Sequence, residues 1–150
     1  MTPKFFEITS PRDMLEKAKR DLDRLKSELD TDTIFNFFVT TYHVMDYVKA
    51  QGSVCQSSID AMYKDKAFQM CNFIANKGKH IKLKKYISTG DPYQTKHKPG
   101  ALFGAACFGE AMFGEGESFA IIDGTCEIDV IVLGIALISK WETFFLDNGL

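Results

Sequence analysis

The sequence predicts an α+β protein, mainly α: an antiparallel helical bundle, a small antiparallel β element and a C-terminal helix. Three observations carry this. Apolar residues recur at helical spacing from residue 11 to about residue 80, in segments joined by short connections that make sequential helices antiparallel neighbours. The texture then changes, after a Pro- and Gly-containing loop at 88–100, to short runs punctuated by turn signals. Residues 130–138 carry no polar side chain, and Lys140-Trp141-Glu142-Thr143 continues them amphipathically. The 150 residues suit one domain: a helical part over 1–87, the loop over 88–100, and the β element plus C-terminal helix over 101–150.

The first helix starts at Ser10-Pro11-Arg12-Asp13, with Ser10 as cap, Pro11 at the first helical position and Asp13 closing a capping box. Leu15, Ala18, Leu22, Leu25 and Leu29 mark its apolar face; the rest, Asp21 included, reads as a charged outer surface. Asp30-Thr31-Asp32 ends it and caps a central helix over 31–51. That helix is apolar nearly all round, which marks it as the most buried one, with Phe35, Phe38, Tyr42 and Met45 in the core. One narrow polar stripe interrupts it: at 100° per residue Asn36, Thr40, His43 and Tyr47 fall within about 60°, with Asp46 at the edge. Buried polar groups need partners, so residues 72–80 are expected to face this stripe.

Gln51-Gly52-Ser53 breaks the central helix, and Ser57 or Ser58 starts a third. Ile59, Met62, Tyr63, Ala67, Met70, Cys71 and Ile74 form its apolar face. Gly78 weakens the helix and marks an end, a bend or a close approach. Further on, Gly114-Glu115-Gly116 reads as a hairpin tip, 118–122 as a strand, Asp123-Gly124 as a turn and 125–129 as a second strand. Nine apolar residues at 130–138 suit a buried strand as well as a helix; the amphipathic continuation to about Phe145 and Gly149 past the end favour the helix.

The net charge of −2 hides an uneven distribution: residues 77–98 hold seven Lys and one acid, residues 99–150 eight acids and one base. The N-terminal residues lack a secretory apolar core, and the longest apolar run is under half a membrane span. A cytoplasmic protein with no membrane partner is therefore expected. Cys55, Cys71, Cys107 and Cys126 share no metal-ligand spacing and read as free, buried thiols.

Two constellations could carry chemistry. On the central helix, Asp46 stands three residues after His43 and can orient the imidazole, with Asn36 and Thr40 beside it. In the third, Asn72, Asn76, Lys79 and His80 share a face, and Lys77, Lys82, Lys84 and Lys85 crowd around them. A lysine beside a histidine can bind an anion while the imidazole moves a proton. Lysines interleaved with Tyr86 and Tyr93 suit a nucleic-acid backbone. The alternatives are a structural polar seam, each imidazole satisfied within the bundle, and a solvated basic loop. No metal-binding His spacing and no phosphate-loop motif occurs, so no metal or other cofactor is expected.

The Asn36-Phe37-x-x-Thr40-x-x-His43-x-x-Asp46-Tyr47 stretch and Asn76-Lys77-Gly78-Lys79-His80 resemble uncharacterised bacterial helical proteins distantly similar to HEPN-type domains. The resemblance covers roughly residues 31–85. It implies an RNA-linked role in defence or toxin–antitoxin biology, a homo-oligomer, and a ribonuclease site in which His80 is acid or base, Lys79 binds phosphate, and His43 and Asp46 join them in one polar seam. Asn36, Thr40, Asn72, Asn76, Lys77, Lys82, Lys84 and Lys85 would bind or position. The Arg that such nucleases place four to six residues before the His has no counterpart ahead of His80. Two other readings fit the same residues: a non-enzymatic interaction or oligomerisation module, and a small-molecule binding protein with a Phe-rich pocket.

Overall fold

A computed structural model describes residues 7–79, 90–98 and 116–150. These residues form α1 (Pro11–Ser27), α2 (Thr31–Gln51), α3 (Gln56–Lys64), α4 (Lys66–Lys79), β1 (Gln94–Lys98), β2 (Ser118–Asp123), β3 (Cys126–Asp129) and α5 (Val130–Asn148). The architecture is α+β and mainly helical, as the periodicity predicts.

The capping chemistry forms as expected. Ser10 Oγ accepts from the Asp13 amide at 3.1 Å and the Asp13 carboxylate accepts from the Ser10 amide at 3.0 Å. Asp30 does the same for α2, taking the Thr33 amide at 2.8 Å. α2 returns antiparallel to α1 and buries Phe37, Phe38, Val44, Met45 and Val48. Phe35 departs from its expected place in the core and is 37% exposed. At 100° per residue it lies about 120° around the helix from the middle of the buried set, so it leaves the core face.

The apolar periodicity from Ile59 to Ile74 suggests one helix, but the structure has two. Asp65 ends α3 with extended backbone, and its Oδ1 accepts from the Phe68 amide at 3.1 Å, capping α4. An Asp within an apolar ladder was an N-cap signal that the continuous pattern masked. α4 runs antiparallel along α2: Gly78 lies against Phe35, the Cys71 thiol reaches the Phe38 carbonyl at 3.5 Å, and the Phe68 and Tyr42 rings sit 5.5 Å apart. Gly78 is the close approach that its position suggests; a Cβ there would come within 2.5 Å of the Phe35 ring.

The three strands form an antiparallel sheet in the order β1-β2-β3. β1 falls inside the expected loop at 88–100. It has no apolar alternation because it is an edge strand exposed over most of its length, and polar residues suit such an edge. Its register against β2 pairs His97 with Phe119, and the two rings stack 4.4 Å apart. The β2–β3 turn is centred on Gly124-Thr125, one residue later than read, with Gly124 at φ +60°. The first part of the expected hairpin tip, Gly114-Glu115, and the segment 102–113 lie outside the described residues.

α5 is a helix, as its amphipathic continuation indicates. Asp129 caps it by accepting from the Ile131 amide at 2.8 Å, and Gly149 closes it at φ +70°. It lies across α1, α2 and the sheet. Gly134 lets it sit down on Leu22 and Phe37, where a Cβ would meet both at 3.0 Å. Trp141 is fully buried among Phe68, Phe144 and Phe145. No helix among the described residues is long and apolar enough to cross a membrane.

Candidate functional site

The polar stripe of α2 does not face one partner surface. Asn36 is exposed in the second turn, and Thr40 turns into the α1–α2 interface. His43 is half-buried; its Nδ1 lies 2.6 Å from the Val39 carbonyl, so Nδ1 carries the proton and donates. Its Nε2 stands 3.8 Å from Asp46 Oδ2, beyond hydrogen-bond reach, and Asp46 is exposed. On α4, Asn76 donates to the Asn72 carbonyl at 2.9 Å and to the Asn72 side chain, tying the two amides to each other. Lys77 pairs with Asp91 at 2.7 Å, and Lys79 is the last residue of α4. His80, Lys82, Lys84 and Lys85 lie outside the described residues. Asn76 and Lys77 thus sit near the start of α2, as the antiparallel register requires, while His43 is two turns away.

The most buried charged side chain among the described residues belongs to a face that residue type assigns to solvent. Asp21 is 3% exposed. Its Oδ2 accepts from Lys17 Nζ at 2.6 Å and from the Thr40 hydroxyl at 2.8 Å, and its Oδ1 accepts from Arg24 at 2.9 Å. Lys17 also donates to Thr40 Oγ1 at 2.8 Å. Thr40 therefore partners α1, not α4. The signal was angular: at 100° per residue Asp21 falls about 40° from Leu25, at the edge of the apolar face.

Where α2 begins and α4 ends, an open groove of about 470 Å³ lies between the two helices and β1. Ile34 and Phe35 form one wall, Phe73, Ile74 and Gly78 another, with Thr95 from β1. Thr31, Asp32 and Lys77 form a polar rim. The Phe35 ring packs on Gly78, and the rest of it faces solvent here. Size and lining match a small-molecule site, an apolar wall with a few polar groups at the mouth. Lys77 and Gly78 belong to the stretch singled out in the sequence, while Phe35 is expected there as core and Ile74 as part of an apolar helix face.

The uneven charge resolves partly into pairing. Lys96 and Lys98 on β1 both reach Glu127 on β3, at 3.2 and 2.8 Å, and together hold its carboxyl below the usual range, Lys98 most strongly. Lys66 pairs with Asp123 at 2.6 Å. No group of three or more potential metal ligands occurs among the described residues.

Cys55, Cys71 and Cys126 are free thiols; only Cys71 is buried, and Cys107 lies outside the described residues. Burial pushes the Cys71 thiol well up. Cys55 stands exposed at the N-cap position of α3 without a side-chain cap bond, and the Ser57 and Ser58 hydroxyls, each 3.2 Å from its sulfur, bring it down to about 7. The thiolate is the reactive form. Iodoacetamide should therefore modify Cys55 first, at a rate that rises with pH through about 7 and levels off above it. Cys71 should stay unmodified until the chain unfolds. Peptide mass spectrometry across that range reads both; equal labelling of Cys55 and Cys71 in the folded chain would contradict the burial of Cys71 and the hydroxyl contacts of Cys55.

Comparison of the chain with known protein families, with curated proteins and with solved structures gives no match.

Proposed function

We propose that this protein is a non-enzymatic, homo-oligomeric binding module that takes a small apolar molecule in the groove between the start of α2, the end of α4 and β1. The observation that carries this is the groove itself: about 470 Å³, walled by Ile34, Phe35, Phe73 and Ile74, with a half-exposed aromatic ring at its mouth. Its dimensions fall within the range of ligand pockets. The polar residues of α2 support a structural reading beside it. Thr40 completes the Asp21 network, and the His43 proton is committed to a backbone carbonyl. The HEPN-type alternative would use His80 with His43 and Asp46, and it has less support: Asp46 is too far from the imidazole to orient it, and no Arg precedes His80 at the family's spacing.

Fluorescence titration with N-phenyl-1-naphthylamine, a neutral apolar probe, tests the proposal. Phe35→Ala removes a half-exposed ring and should leave the fold intact by circular dichroism. It should weaken binding at least tenfold, as should Ile74→Asp. Unchanged affinity in both would overturn the groove reading. Filter binding of single-stranded RNA is the opposing measurement. Retention at low salt that falls with a log–log slope near −0.7 per phosphate contact, and that is lost with Lys82, Lys84 and Lys85 changed to Glu, would replace this proposal by the nucleic-acid one.

A further inference from the structure

The groove between α2, α4 and β1 carries charge at its mouth, and the two signs there are not equally engaged. Lys77 is committed: its Nζ lies 2.7 Å from Asp91 Oδ2. Lys96 and Lys98, on the neighbouring strand, are both held on Glu127. Asp32 is exposed on the rim, and no ion pair or hydrogen bond joins its carboxylate to another described residue. The fold does not use it as a cap either. Asp30 Oδ1 already accepts from the Thr33 amide at 2.8 Å and completes the capping box of α2. Among the described residues of the rim, the charge left for a ligand is therefore negative.

An aromatic ring stands beside that carboxylate. Asp32 and Phe35 are three residues apart in α2, so both project from one face of the helix. Phe35 is 37% exposed; Gly78 lies against the Cδ2–Cε2 edge of its ring, and the rest faces solvent. The face of such a ring is negative and attracts a cation, quaternary ammonium groups above all. A carboxylate beside it adds the opposite full charge. An anionic head would meet the reverse. It would have to displace Asp91 from Lys77, and it would stand against Asp32. A cationic head requires no such exchange. We infer that the ligand of the groove is an amphipathic organic cation, its ammonium group held between the Asp32 carboxylate and the Phe35 ring and its apolar body laid along Ile34, Phe73 and Ile74. The inference rests on the groove reading proposed above and adds the sign of the ligand's charge. Both anchors are exposed, so the preference for a cation is modest and weakens as salt is raised.

Displacement of N-phenyl-1-naphthylamine from the full chain tests it. The competitors are octyltrimethylammonium, octanol and octanoate, each below its micelle-forming concentration, so that the chain is constant and only the head changes. At low salt the cation should displace the probe at a concentration about tenfold below that needed for octanoate. Asp32→Asn should bring that ratio below about threefold, because it keeps the shape of the side chain and removes the charge. Phe35→Leu, which keeps an apolar side chain without a π face, should lower the ratio as well. Salt at about 1 M, which screens charges beyond roughly 3 Å, should shrink it in the unaltered chain. Displacement by all three compounds at similar concentrations would overturn the cationic ligand and leave the groove standing. So would a preference for octanoate, or a preference for the cation that survives both Asp32→Asn and high salt. A chain that binds neither the probe nor any of the three octyl compounds would overturn the groove itself.

Discussion

Replacing Trp141 by alanine should lower stability by about 3–5 kcal/mol, the range for truncating a large buried aromatic. Trp141 is fully buried where α2, α4 and α5 meet, with the Phe68 ring 5.6 Å away and the Phe144 ring 5.4 Å away, both edge-on. Its Nε1 donates to the Thr41 carbonyl at 3.1 Å. Truncation removes the packing of three elements at once and leaves a cavity that backbone capped at both ends of α5 cannot readily close. Trp141→Phe keeps most of the volume and loses the donor, so it should cost about 1–2 kcal/mol. Trp141 is the one Trp in the chain, so denaturation of these variants is followed by circular dichroism. A loss below about 1 kcal/mol for the alanine variant would mean the three elements do not meet at this residue.

Asp21→Ala should cost about 2–3 kcal/mol, somewhat below the 3–5 kcal/mol typical when one partner of a fully buried ion pair is removed. The reduction follows from exposure: the carboxylate is buried, but Lys17 and Arg24 reach water and can be rehydrated. What cannot be rehydrated is the Thr40 hydroxyl, which is left with one bond to Lys17 inside the α1–α2 interface. Thr40→Val in the same chain should therefore cost less on top of Asp21→Ala than it costs alone, because the two side chains act as one unit. Strict additivity in denaturant unfolding would show that the carboxylate and hydroxyl do not act together.

The helices were legible because their signals are local. Ser10-Pro11-Arg12-Asp13, Asp30 and Gly149 act through bonds to residues three to five positions away, and each appears where the sequence places it. Tertiary facts were harder to read. Asp21 looks solvent-facing by residue type and is buried because Lys17, Arg24 and Thr40 converge on it, and Thr40 comes from another helix. Phe35 looks like core by type and is half-exposed because it points away from the face that α1 and α5 cover. β1 carries no strand signal of its own; the edge of β2 organises it, and Glu127 pairs with its lysines. The groove was hidden for the same reason, since its walls come from α2, α4 and β1. Only Gly78 hinted at it, as a position where something approaches closely.

Amide-shift mapping of the isotope-labelled chain, titrated with N-phenyl-1-naphthylamine, separates the groove from the polar stripe of α2 in one measurement. The largest shifts should cluster at Ile34, Phe35, Phe73, Ile74, Gly78 and Thr95, with His43 and Asp46 unmoved. Shifts centred on His43 and Asp46, with those six amides silent, would contradict the assignment of binding to the groove and return the imidazole to the functional site.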